Sequence, residues 1–351
     1  MNHHGFIDIS LNDDLSNIAA AIPPSIPRIG AEQPVYGGTW RFLTRPLVGH
    51  YVGWQLGGLC GEGAYGKIYR AERMVVRRRE DGLFDVINGP HAVVLKTVGQ
   101  LAEDEMMAYV VEALLHIVAW QSVQKVAPWS IPRPYELFRD SQSISLCMSF
   151  VNGRILSSFL SKHWLLTSKE ENTRTFFEII GQIAFVLYHL QAHLCMNHRD
   201  LKINNVLIRK RVPSQLVIGE DALEIHHEVT LIDFGFACVG KTTSILQAGT
   251  WFTERDICCK VGRDLAQLVF CIHCYFPLFD FLTPAAFEVV TRWMNISEVN
   301  VLNGLTKDGR PLKRGKPVYD TGIYEFLRRP TTDTEPCNPL TVFKDCCAGA
   351  G

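Results

Sequence analysis

The sequence lacks a dominant charge. Its 35 Lys and Arg stand against 36 Asp and Glu, a formal net charge of -1, so no global field draws the protein onto nucleic acid or an anionic membrane. It also lacks an uninterrupted apolar run of membrane-spanning length. The longest, Leu265 to Leu282, is interrupted by Gln267, His273, Pro277 and Asp280, which suits a buried helix rather than a span. No secretory leader is expected from the opening residues. The 11 cysteines are odd in number and irregular in spacing, so they do not read as the framework of a small secreted domain. Reduced thiols and an intracellular location, cytoplasm or nucleus, are expected. Cys271 and Cys274 form a lone C-x-x-C behind Cys258-Cys259; lying in an apolar helix-like run, they read as core cysteines rather than metal ligands. The expected partners therefore exclude nucleic acid and membrane, and a monomer is expected.

What is present is a globular composition, 47% hydrophobic and 20% charged over 351 residues, long enough for one large domain or two lobes with sizeable cores. The most informative stretch is Asn197-His198-Arg199-Asp200-Leu201-Lys202-Ile203-Asn204-Asn205, which runs into apolar Val206-Leu207-Ile208. An Asp followed five positions later by an Asn suits a short loop whose side chains converge. The carboxylate can orient a hydroxyl, and the amide oxygen can join the shell of a hard cation. Lys202 adds positive charge where a phosphoryl group would develop its own.

Upstream, Gly61-Glu62-Gly63-Ala64-Tyr65-Gly66 follows the strand-like Tyr51 to Leu56. G-x-G-x-x-G by itself also fits dinucleotide folds, where a helix begins at the glycines. Here Ile68, Tyr69 and Met74-Val75-Val76 continue as a strand, so the glycines sit in a hairpin where backbone N–H groups can approach phosphate. Ala92-Val93-Val94-Leu95-Lys96 is a buried strand ending in a cation that needs a partner or an anionic ligand. A helix follows over about Leu101 to Gln121, with Val110, Leu114 and Val118 recurring every four residues. Glu105 and Glu112 lie seven apart on one of its faces. Ile131 to Phe138 and Ile144 to Val151 read as strands, then Ile155 to His163 and Thr173 to His193 as helices. After an insertion, Arg209 to Glu228, the apolar strand Val229 to Ile232 ends in Asp233-Phe234-Gly235. Residues 1–49 read as an irregular, partly disordered extension, because Pro23, Pro24 and Pro27 break any helix there.

The loop at Asn197 resembles the H-R-D-L-K-x-x-N catalytic loop of eukaryotic-type protein kinases, matched at every motif position, and Ala92 to Lys96 and Asp233-Phe234-Gly235 resemble two further kinase motifs. The resemblance covers roughly residues 50 to 282. It implies an α+β, bilobal fold: a small β-rich N-lobe over 50–151 and a mostly helical C-lobe over 152–345, with a tail at 346–351. It implies ATP and Mg2+, and a protein substrate phosphorylated on Ser or Thr, since Lys202 is the mark of that class. Asp200 would act on the acceptor hydroxyl. Lys96 would hold the α- and β-phosphates, paired with a helix glutamate; Glu112, in the apolar half of the helix, is preferred to Glu105. Gly61, Gly63 and Gly66 would cover the phosphates. Cys60, Ile68, Val94 and Leu207 would sandwich the adenine, with Met148 as gatekeeper and Ser149 to Val151 as the backbone that bonds it. Asn205 and Asp233 would hold the metal.

The pattern departs from the family after Asp233. The A-P-E triplet is absent, Trp251-Phe252-Thr253-Glu254 leads quickly to Gly262-Arg263-Asp264-Leu265, and the C-lobe is shortened, as in haspin-like kinases and those of large DNA viruses. Asp264 resembles the buried aspartate that anchors the catalytic loop. Arg199 is of the kind that pairs with a phosphate on this segment, where Thr242, Thr243, Ser244, Thr250 and Thr253 lie. A short segment has less entropy to lose on ordering, so a fixed acid or carbonyl is expected to serve instead, Glu254 being one candidate. Two other readings are an inert pseudokinase that only binds, and a small-molecule kinase of the same ancestry. Retention of Lys96, Asp200, Asn205 and Asp233 argues against the first, and the R-D-L-K arrangement against the second.

Overall fold

The computed structural model describes residues 26–35, 38–47, 49–63, 66–99, 103–140, 143–241, 244–247, 258–294 and 334–349, some at element ends by backbone alone. They fall into two compact units, one drawn from Met1–Ile117 and Pro132–Val151, the other from Val118–Ile131 and Asn152–Gly351. The combination of a large sheet with several helices is the α+β class expected.

In the first unit, strands β1 (Ile29–Val35), β2 (Gly38–Leu43), β3 (Tyr51–Gly63), β4 (Gly66–Arg78), β5 (Phe84–Gly99), β6 (Pro134–Arg139) and β7 (Ser143–Ser149) form one sheet, ordered β1-β2-β3-β4-β5-β7-β6. Every neighbouring pair is antiparallel. The period-two alternation of β5 sorts its side chains by face. Val93 and Leu95 enter a core with Val52, Trp54, Ala71, Phe138 and Cys147, which leaves Val94 and Lys96 on the opposite face. There helix α1 (Glu103–Val123) lays Tyr109, Val110 and Ala113 against Leu137, Ile144 and Leu146. The irregular chain expected before residue 50 is instead regular over β1 and β2. Trp40 and Phe42 alternate into a core with Met74 and Val76, and Pro34 is accommodated because β1 is an edge strand. Residues 1–25 lie outside the described residues.

The second unit is built on α3 (Lys169–Leu194), preceded by β8 (Arg154–Ile155) and α2 (Leu156–His163). Ser168 caps α3 by accepting from Glu171 N, with Glu170 and Glu171 in the first turn, where carboxylates complement the exposed N–H groups and the helix dipole. Phe176, Ile180, Ile183, Leu187, Leu190 and Leu194 are all buried along it. The presumed insertion is a hairpin, β10 (Val206–Ile218) with β11 (Asp221–Leu231). Pro213 falls where the register shifts between Lys210 and Ser214, a place where a ladder can lose an N–H. The chain continues through α4 (Arg263–Tyr275), α5 (Leu278–Phe281) and α6 (Pro284–Met294) to α7 (Pro339–Gly349).

Helix α7 runs past the lobe end drawn at 345, and it belongs to the core: Phe343 and Cys346 are buried, and the Phe343 and Phe185 rings lie 5.7 Å apart. Glycine at 181 permits this. A Cβ there would meet Leu223 at 2.6 Å and Cys346 at 3.0 Å, so close approach of α7 and the hairpin offsets the roughly 1 kcal/mol a mid-helix glycine costs. Among the described residues no helix is long and apolar enough to cross a membrane.

The reduced-thiol expectation fails at one pair. Cys238 and Cys258 are joined in a disulfide across a sequence separation of 20, with Cα atoms 6.4 Å apart; the other nine cysteines are free. Spacing could not reveal the pair, because a long-range strand pairing brings the two together: β12 (Cys238–Lys241) lies beside β9 (Met196–Asn197), and Asn197 also meets the chain at Lys260. A digest of the native protein, alkylated without reductant, should therefore yield one cross-linked peptide pair carrying Cys238 and Cys258. Mass mapping that finds both residues alkylated would remove the bond.

Candidate functional site

Each unit carries some of the candidate residues. In the N-terminal unit the register sets Ile68 opposite Lys96 and Arg70 opposite Val94, and beyond them Lys96 opposite Leu146 and Val94 opposite Met148. Ile68, Val94, Lys96 and Met148 thus share one face, all part-buried. Lys96 Nζ donates to Glu112 Oε1, and Tyr109 Oη donates to the Lys96 carbonyl at 2.5 Å. The Lys96 side chain is 12% exposed and that of Glu112 9%, so each charge has the partner that burial demands. The side chain of Glu105 lies outside the described residues.

The glycines behave as a hairpin, with Gly63 opposite Gly66; Ala64 and Tyr65 lie outside the described residues. Gly66 has φ 149°, and a Cβ there would come within 2.8 Å of the Thr97 carbonyl, so no other residue fits. Gly61 pairs with Ile68, and exposed Cys60 donates from Sγ to the Ile68 carbonyl. Partial desolvation pushes its thiol pKa up. Ser149 is committed to the sheet: its N–H donates to Arg133 O at 2.8 Å and its Oγ accepts from Arg133 N at 2.9 Å. Val151 lies beyond the end of β7.

In the C-terminal unit, α3 ends on Cys195 in the left-handed region, φ 48°, which turns the chain into β9. Arg199 is also left-handed, φ 64°. This conformation is costly for a side chain with a Cβ and is held by Asp264 in the first turn of α4. Asp264 accepts from His198 N at 2.8 Å and Arg199 N at 2.9 Å through its two oxygens, and from Asn197 Nδ2 at 3.1 Å. Arg263 Nη1 lies 3.6 Å from Asp264 Oδ1. All five of Asn197, His198, Arg199, Arg263 and Asp264 are at most 1% exposed.

This clamp presents the next residues. Asp200 Oδ2 accepts from Lys202 Nζ at 2.7 Å and from Asn205 Nδ2 at 3.0 Å. Asn205 Nδ2 also donates to the Asp200 carbonyl at 2.9 Å. These bonds use the amide nitrogen, so the amide oxygen is the atom suited to a cation. Leu207, half-buried on β10, pairs with Ile155. Val206 pairs with Leu231, and Ile232 N donates to Asn205 O at 3.0 Å. His198 Nε2 donates to Ile232 O at 3.1 Å, and its ring lies 4.9 Å from the buried Phe234 ring. Asn205 thereby stands just before β10 and Asp233 two residues after β11, beside the Val206–Leu231 pair, Asp233 with φ 69°. Two oxygen-bearing side chains, one of them a carboxylate, suit a hard cation such as Mg2+.

Two residues carry more of this geometry than the sequence suggested. Gln247, in β13 (Ser244–Gln247), accepts from Arg199 Nη1 at 2.8 Å through Oε1. The amide carbonyl fills the expected role of a fixed acceptor, whereas Glu254 lies outside the described residues, as do Thr242, Thr243, Thr250 and Thr253. Asn197 bonds Lys260 and Asp264. No local pattern marks either residue, since their partners are 48 to 67 positions away.

A family model described as "Protein kinase domain" matches residues 54–252. No curated protein matches the chain.

Asp264→Ala should strand three buried N–H donors at once, which costs about 3 kcal/mol or more. Urea unfolding followed by circular dichroism measures it, and a loss under about 1 kcal/mol would contradict this account of the clamp.

Proposed function

The chain belongs to the protein kinase family, and from that premise we propose that it transfers the γ-phosphoryl group of ATP to Ser or Thr hydroxyls of protein substrates. The observation that carries this reading is the convergence of Lys202 and Asn205 on one carboxylate oxygen of Asp200. Asp200 would accept or orient the proton of the attacking hydroxyl. Lys202 is placed to offset charge on the transferred group, and Lys at this position is the basis for Ser/Thr over Tyr. In the N-terminal unit Lys96, oriented by Glu112, would hold the α- and β-phosphates under Gly61, Gly63 and Gly66. In that unit Cys60, Ile68 and Val94 would pack on the base, with Met148 as gatekeeper; in the C-terminal unit Leu207 is the residue expected to face it. Of the Ser149 to Val151 stretch, the Ser149 amide is already bonded to Arg133, which shifts that bonding toward Val151. Asn205 and Asp233 would hold Mg2+, which supplies neutralisation of phosphate charge when bound.

Lys96→Met and Asp233→Asn should each abolish transfer with circular dichroism unchanged. Asp200→Ala should lower kcat by about a hundredfold or more with little change in ATP affinity, because its work is done in the transition state. Labelled ATP, Mg2+ and a generic basic protein provide the assay, and acid hydrolysis of the product should release phosphoserine or phosphothreonine. Mainly phosphotyrosine would overturn the acceptor assignment; unaltered activity in Lys96→Met would overturn the site.

Because Arg199 is met by the neutral Gln247 amide, the enzyme should be active without phosphate on residues 242–253. Protein stripped by phosphatase and verified by mass spectrometry should show no lag in its earliest turnovers. A lag that disappears as Thr or Ser in this stretch becomes modified is the contrary result.

A further inference from the structure

Asn197 stands immediately before the catalytic loop, is fully buried, and has no part in the chemistry proposed above. Its backbone pairs with Cys238 where β12 lies against β9. Its side chain works in the other direction. Nδ2 donates to Lys260 O at 3.0 Å while Oδ1 accepts from Lys260 N at 2.6 Å, the two-bond exchange that a neighbouring strand residue would make. The second Nδ2 proton goes to Asp264 Oδ2 at 3.1 Å. One residue thus grips the chain where it leaves at 238 and where it returns at 260, and ties both to the carboxylate that holds His198 N and Arg199 N. Gln247, the acceptor for Arg199, lies between those two grips.

We propose that Asn197 is a positioning residue for phosphoryl transfer: its amide closes the base of the 238–260 segment and sets the catalytic loop, so that Asp200 is presented in one geometry. The proposal rests on the kinase reading above. An amide is required at this position. It alone among side chains of this size presents an acceptor and two donors in one plane, matching Lys260 N, Lys260 O and Asp264. Aspartate has the same shape but loses both donors and sets a second carboxylate against Asp264.

The test compares Asn197→Asp and Asn197→Ala with the wild-type chain. Each variant should lose at least about tenfold in kcat, since small misplacements of reacting groups are costly. ATP affinity by calorimetry should stay within about twofold, because the side-chain bonds of Asn197 go to Lys260 and Asp264 of its own unit, whereas the residues proposed to hold the nucleotide's phosphates belong to the N-terminal unit. Asn197→Ala removes the bracket without adding charge, and so serves if Asn197→Asp does not fold. Hydrogen exchange on the wild type gives a reading independent of any variant. The Lys260 amide should be protected, and in Asn197→Ala it should exchange faster while amides of β4 and β5 do not change. Wild-type kcat in Asn197→Ala, parallel loss of kcat and ATP affinity, or an unprotected Lys260 amide in the wild type would each overturn the proposal. Were the wild type to show no transfer at all, the functional reading would fall, and the Lys260 exchange would still decide whether the bracket exists.

Discussion

A carboxylate sealed from water must be surrounded by donors, and the second unit is arranged around one. Asp264 sits in the first turn of α4, where the helix dipole favours negative charge, and is fully buried. Its neighbours are backbone N–H groups from a loop more than sixty residues earlier. The consequence runs outward from that carboxylate. Arg199 is kept in a left-handed conformation it would not otherwise hold, and the chain emerges at Asp200 already turned. Asn205 then closes back on Asp200, and β10 starts in register with β11, which ends at Leu231, two residues before Asp233. The Lys96–Glu112 pair in the other unit works on the same physics with opposite sign: a buried cation on an apolar strand is tolerable because a helix delivers a carboxylate to it.

Motifs that are local in the chain were legible as those of the family. His198 to Asn205 and Asp233 to Gly235 declare themselves because the loop and the strand end are each a few residues long. The strong periodicity of α3 was equally plain. The choice of Glu112 over Glu105 drew on burial, since a carboxylate in the apolar half of a helix needs a reason to be there. What sequence reading missed depends on partners far away. Asn197 and Gln247 are unremarkable amides until Lys260 and Arg199 are placed beside them, and Cys238 and Cys258 are two of eleven similar thiols until β9 and β12 pair. One miss had a signal: Trp40 and Phe42 alternate as a half-buried strand should, but the prolines of the preceding stretch drew the reading toward irregular chain. The hairpin of β10 and β11 was obscured in the same way, its Leu216, Leu223 and Ile225 spread among charged residues and its ladder broken near Pro213.

The disulfide makes residues 238–258 a covalent ring within an otherwise linear chain. A peptide bond cut anywhere inside that ring leaves both ends of the break attached to one molecule. Under denaturing but non-reducing conditions a nicked chain therefore migrates as a single species, and it separates into two fragments only when thiol is added. An intact band without reductant is thus no proof that the chain between Cys238 and Cys258 is unbroken.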